Sequence, residues 1–180
     1  MRRFTVVALA MAMLVLGIAI PASATKPDAK FVDVFSFDAP AGSGPDDSGC
    51  DFAIHLDGVA KVQIRDHGFE VVFHNNVKLA VTNLGNGQSL DDNGTWKDTF
   101  VFDEGFDTPG DDARFGNIAS IDTTGSIFRI TVPGQGIVAQ DTGKIVFDPD
   151  TGEVFFLAGP HEVFFGGPNV LCPILGGNPA

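Results

Sequence analysis

Apolar and polar residues alternate along much of this chain. Phe52, Ile54, Leu56, Gly58, Ala60, Val62 and Ile64 are all even-numbered, and the residues between them are mostly polar. A period of two puts one set of side chains in a core and the other in water, which predicts a β-strand. Asp57-Gly58 has the composition of a two-residue hairpin turn. A turn there would set Ile54 opposite Lys61 and Phe52 opposite Gln63. Cross-strand partners share a face, so that register mixes core with surface. The pattern instead predicts one long strand, bent at Gly58. The next segment changes phase, with Phe69, Val71, Phe73, Val77, Leu79 and Val81 odd-numbered. A two-residue turn at His67-Gly68 then pairs Ile64 with Val71, Val62 with Phe73, Leu56 with Leu79 and Ile54 with Val81, and sets Arg65 across from Glu70 as an exposed ion pair. The Gly58 bend falls beside Asn75-Asn76, so both strands curve together, as a barrel or strongly coiled sheet requires.

Turn sequences punctuate the rest. Asp92-Asn93-Gly94 reads as a three-residue turn setting Leu90 opposite Trp96, residues 103–112 as the longest internal loop, and Pro133-Gly134-Gln135-Gly136 as a break after the strand Ser126–Val132. The triplet Asp-Thr-Gly occurs at Asp141-Thr142-Gly143 and again at Asp150-Thr151-Gly152, with a longer form at Asp122-Thr123-Thr124-Gly125. Two such triplets supply the acid dyad of aspartic proteases, which requires the aspartates to share a proton. Here one short strand separates them by roughly 20–25 Å, and Lys144 and Glu153 follow them. The spacing excludes the dyad. Treated as hairpin loops, the triplets match Ala139 with Ile145, Phe147 with Phe155 and Ile145 with Leu157. They read as turns in a meander. No helix is expected beyond the first two dozen residues. The Gly-rich end, 166–180, is expected to be extended, anchored near Cys172 and frayed after it.

The amino terminus changes the picture. Arg2 and Arg3 precede a 15-residue apolar run, Val6–Ile20, then Pro21 and Ala22-Ser23-Ala24. This is the pattern of a secretory signal peptide, cut after Ala24, and the run is shorter than the roughly 20 residues that span a bilayer. The organisation expected is a signal peptide at 1–24, an extended segment at 25–48, a β-domain at 49–173 and a tail at 174–180. Loss of Arg2 and Arg3 leaves 9 basic against 23 acidic residues, a net charge of −14. That charge disfavours nucleic acid and anionic membrane surfaces as partners. The exported chain keeps two cysteines, Cys50 and Cys172. An even count in an exported protein predicts a disulfide.

Candidate chemistry is sparse. Asp148, Asp150 and Glu153 could offer oxygens to calcium, but the EF-hand spacing fails, with Gly159 where its last Glu belongs. In the register above, His55 and His74 lie roughly 20 Å apart and cannot share an ion; His67 is a turn residue and His161 follows Pro160. Acid clusters at Asp46-Asp47 with Asp51, at Asp91-Asp92 and at Asp111-Asp112 read as solvated loops, with cation or sugar-hydroxyl binding as the sharper alternative. Trp96 alternates in phase with Phe100 and Phe102, a stripe that reads as core before it reads as a carbohydrate platform. The serine elbow G-x-S-x-G is absent. No residue is assigned a catalytic, cofactor-binding or metal-binding role.

The stretches "SGCDF" at Ser48–Phe52, "VTNLGNGQS" at Val81–Ser89 and "VLCP" at Val170–Pro173, behind a signal peptide, resemble a group of small secreted proteins of unknown function from high-GC Gram-positive bacteria. That resemblance implies an antiparallel barrel of the kind seen in allene oxide cyclases and dirigent proteins, and carries over no functional residue. The expected fold is an all-β antiparallel meander of about eight strands, closed as a barrel with a sandwich as the alternative, and tied by one disulfide. The expected function is extracellular and non-catalytic: binding a small apolar ligand, or a role in the cell envelope. A cyclase- or isomerase-like enzyme at the barrel mouth is the alternative.

Overall fold

Long alternating segments form long strands. The computed structural model describes residues 28–42, 49–103 and 115–178. Its strands are β1 (Asp28–Ala39), β2 (Ile54–Asp66), β3 (Glu70–Asn83), β4 (Ser89–Phe102), β5 (Ile118–Val132), β6 (Gly136–Phe147) and β7 (Val154–Ala158), followed by two short helices, α1 (Glu162–Gly166) and α2 (Pro168–Ile174). The seven strands form one antiparallel sheet in sequence order, β1 at one edge and β7 at the other. The meander is as expected. Closure is not shown: among the described residues the sheet runs from β1 to β7 and these two do not pair. The segment ahead of the expected domain supplies β1, paired with β2 along its whole length. The signal-peptide residues and most of the 103–112 loop lie outside the described residues.

β2 runs unbroken through Gly58, as the face argument required. The ring of Phe35 lies where a side chain at Gly58 would be, since a Cβ there would come within 2.3 Å of Phe35 Cζ. The β2–β3 register differs from expectation by two residues: Ile64 faces Phe73, Leu56 faces Val81 and Gly58 faces Leu79. A shift of two keeps every side chain on its own face, so alternation alone cannot detect it. The loop decides it. Asp66 Oδ1 accepts the Gly68 N–H at 2.9 Å, and the His67 N–H reaches Glu70 O at 2.9 Å, a longer turn than two residues. Arg65 consequently lies across from Val72, and the ion pair with Glu70 does not form part of the ladder.

Three expected turns lie inside strands: Asp92-Asn93-Gly94 in β4, Asp122–Gly125 in β5 and Asp141-Thr142-Gly143 in β6. Their glycines serve close approach. A Cβ at Gly94 would lie 2.4 Å from Ile127 O, where β4 and β5 change register, and one at Gly143 would lie 1.9 Å from Ala158 O. Glycine inside a strand often marks such a bulge or contact. Two expected turns hold, at Pro133–Gln135 and after Asp148. Asp148 Oδ1 accepts the N–H groups of Asp150 and Thr151 at 2.8 and 2.9 Å, and Ile145 faces Leu157 as expected. A register shift places Val154, rather than Phe155, across from Phe147.

The carboxyl end is helical, contrary to expectation. Helices of five and seven residues are too short to show an apolar period, and Pro168 at the start of α2 with Gly167 at φ 46° before it marks the break between them. Val163 and Leu175 pack with Leu90, Ile130 and Ala139 over one end of the sheet. Trp96, Ile121, Ile127, Ile145 and Phe147 fill the middle, and Ile64, Val71, Phe73 and Phe102 the far end. Cys50 and Cys172 are joined, with their Cα atoms 5.5 Å apart. Around that bond, Asn83 and Asn86 each donate a side-chain N–H to Leu175 O at 3.0 Å. Asp51 and Asn178 exchange backbone and carboxylate bonds at 2.9 Å, so the chain is held well past Cys172.

Candidate functional site

The pairing of β1 with β2 gathers four polar side chains that the sequence does not place together. Asp38 faces His55 and Ser36 faces Asp57 across the ladder. His55 Nδ1 lies 2.6 Å from Asp38 Oδ1, and its Nε2 lies 2.9 Å from Asp57 Oδ2 and 3.3 Å from Ser36 Oγ. By residue type this is a Ser-His-Asp set. By geometry it is a clamp: both ring nitrogens face carboxylates, so the favoured species is an imidazolium that donates twice. Hydrogen bonding to Asp38, then to Asp57, raises the His55 pKa, while the Ser36 hydroxyl and His55 hold Asp57 low. An imidazolium has no lone pair to take a proton from Ser36.

Beside this clamp an open trough of about 480 Å³ crosses β1 to β4 along the row Phe35, Gly58, Leu79, Asp92. Ser36 and Asp57 stand on its rim, with Lys78, Asp91 and Asn93 further along. The sequence marks residues 25–48 only as an extended segment, which gives Ser36 and Asp38 no register against His55 and Asp57.

Three carboxylates are held within the fold, each raised in pKa chiefly by burial. Asp98 accepts Asn75 Nδ2 at 2.9 Å, Trp96 Nε1 at 2.8 Å and Thr123 Oγ1 at 2.7 Å. Trp96 is therefore core, with its one polar atom bound. Asp92 accepts the Arg129 N–H at 2.8 Å where the β4–β5 register shifts, and also the N–H of Asn93. Asp141, fully buried, accepts the N–H of Val163 at 2.9 Å and a shorter bond from that of Phe164, capping α1 from a neighbouring strand. The first Asp-Thr-Gly triplet is thus a helix cap and a close contact inside a strand; the second is a turn.

Among the described residues no three His, Cys, Asp or Glu side chains could hold one metal ion. Asp148 of the calcium trio spends its carboxylate on the turn, and His74 faces Gln63 and Lys97, remote from His55. His161 is buried with Nε2 3.1 Å from Ala158 O. The clusters Asp46-Asp47 and Asp111-Asp112 lie outside the described residues. No described helix is long and apolar enough to cross a membrane.

A continuous run of exposed apolar residues lies at a sheet edge. Val154, Phe155, Phe156 and Leu157 of β7 are 37–54% exposed, so neither face of this strand is covered. No protein-family model, no curated protein and no solved structure matches the chain.

Proposed function

We propose that this is an exported, non-catalytic protein that meets its partner, an apolar ligand or a component of the cell envelope, at its surface. The observation that carries this reading is the state of the buried carboxylates: Asp92, Asp98 and Asp141 each accept at least two hydrogen bonds from this chain's own donors. Acids committed in this way hold the fold and are not left free to act on a bound molecule. The disulfide fits an oxidising compartment, in agreement with a signal peptide cut after Ala24. Native mass spectrometry of the protein secreted by a bacterial host, without refolding, tests the reading. The expected mass lacks residues 1–24 and two hydrogens and carries no small molecule lodged in the interior.

One observation favours the competing reading, a cyclase- or isomerase-like enzyme. Asp98 is held toward its protonated form, as a general acid must be. A small molecule retained by the wild type and lost from a folded D98N protein would overturn the non-catalytic reading in its favour.

A further inference from the structure

We propose that the outer edge of β7 docks a second copy of this chain, the two β7 strands pairing antiparallel about a two-fold axis at Phe156. β7 pairs with β6 on one side and with no described strand on the other. An edge strand presents a row of backbone donors and acceptors, and proteins usually guard such edges with charges or proline. The two edges of this sheet differ in that respect. β1 also exposes Val32 and Val34, but it carries Lys30, Asp33 and Asp38 among them. β7 has the sequence Val-Phe-Phe-Leu-Ala, with no charge in five residues.

The choice of a second copy follows from what can lie against that sequence. In the two-fold arrangement Phe156 faces its own counterpart, Phe155 faces Leu157 of the other copy, and Val154 faces Ala158. Every cross-strand pair is apolar, so two strongly acidic chains meet where neither carries a carboxylate. Pairing β7 with β1 of another molecule would lay this uncharged strand against one that carries Lys30, Asp33 and Asp38. It would also leave an edge free at each end and build a filament instead of a closed dimer. The four side chains, about half exposed, offer on the order of 350 Å² per copy at aromatic side-chain sizes. Two copies then hide roughly 700 Å², below the ~1,200 Å² of a stable interface. The dimer is therefore weak and forms only with rising concentration.

Sedimentation velocity of the secreted, disulfide-bonded protein from about 1 μM to about 1 mM tests this, a range that covers weak association. The expected result is a species of twice the monomer mass that grows with concentration. F156E and F156K, each folded by circular dichroism, are expected to stay monomeric, with dissociation constants raised at least tenfold, because like charges would face each other across the axis. An equimolar mixture of the two is expected to dimerise again. V34E, on the other edge, is expected to behave as the wild type. A wild type that stays monomeric throughout, a dimer indifferent to F156E, or a mixture that fails to dimerise overturns the proposal. Growth past the dimer into larger species overturns it in favour of β7–β1 joining.

Discussion

Replacing Asp141 tests whether the first Asp-Thr-Gly triplet is structural. Its carboxylate is fully buried and accepts the N–H groups of Val163 and Phe164, the first turn of α1, a helix with no side-chain cap of its own. D141A strands both donors, at about 1–3 kcal/mol for each buried group left unpaired. The variant also removes a carboxylate whose charged form burial disfavours, which offsets part of the loss near neutral pH. The net expectation is a loss of about 2–5 kcal/mol. D141N keeps one good acceptor and sets an amide donor against the second N–H, so it should cost about 1–2 kcal/mol. Urea unfolding followed by fluorescence of Trp96, the single tryptophan and a buried one, reads both. The two variants also differ from the wild type in pH response. A carboxyl with a raised folded pKa contributes stability that is complete below its unfolded pKa and is lost as pH rises through the folded one. The gap between wild type and D141N should therefore be widest in acid and narrow toward neutrality. A D141A protein within about 0.5 kcal/mol of the wild type would refute the capping role, since surface substitutions alone produce that little.

The same sign governs the whole molecule. Asp92, Asp98 and Asp141 are raised by burial and His55 by its carboxylates, so all four contribute less as pH rises, while the depressed Asp57 and Asp148 lose their contribution only as pH falls below the ordinary carboxylate range. The urea midpoint is expected to be higher at pH 5 than at pH 8, and a midpoint that climbs over that interval would contradict the assignment. The disulfide closes a separation of 122 residues, for which chain entropy gives about 5 kcal/mol. A C50A/C172A protein should lose up to that amount in urea, and a loss below about 1 kcal/mol would mean that the asparagine contacts suffice. G143A places a methyl 1.9 Å from Ala158 O at φ 140°, whereas G134A meets nothing within 4 Å. The first should cost more than about 3 kcal/mol and the second about 1, from its positive φ alone; equal melting temperatures for the two would disprove the close contact.

Alternation exposed faces more readily than partners. The even positions of β2 and odd positions of β3 point inward as read, because the period of two is a local property of each strand. The register came out two residues away because only the Asp66–Gly68 bond, a loop detail, separates two pairings of equal parity. Turn residues misled for a related reason. Aspartate, threonine and glycine suit turns through side-chain acceptors and positive φ, but the same acceptor at Asp141 satisfies a helix, and the same missing Cβ at Gly94 and Gly143 admits a neighbouring backbone. Those uses depend on segments far away in the chain. The clamp at His55 was invisible on the same grounds, since Asp38 lies 17 residues from it and meets it only through the β1–β2 ladder.

Three separate stretches, Gly49–Phe52, Val81–Ser89 and Val170–Pro173, meet at one end of the molecule. In "SGCDF", Cys50 takes the disulfide, Asp51 holds Asn178, and Phe52 lies where a side chain at Gly177 would be, within 2.1 Å of its Cβ. In "VTNLGNGQS", Asn83 and Asn86 donate to Leu175 O while their own carbonyls accept the N–H groups of Gly85 and Gln88. In "VLCP", Cys172 supplies the other sulfur, and Leu171 packs against the cluster of Leu90 and Ile130. Each stretch serves to fasten the helical end onto the sheet. The His55 clamp and Asp98 lie outside all three stretches, and only Ser89 touches the strand that carries the far rim of the trough. The meander is thus closed at this end by a disulfide and two asparagines. The open trough across β1 to β4 and the exposed β7 edge therefore lie apart from the residues that close the meander.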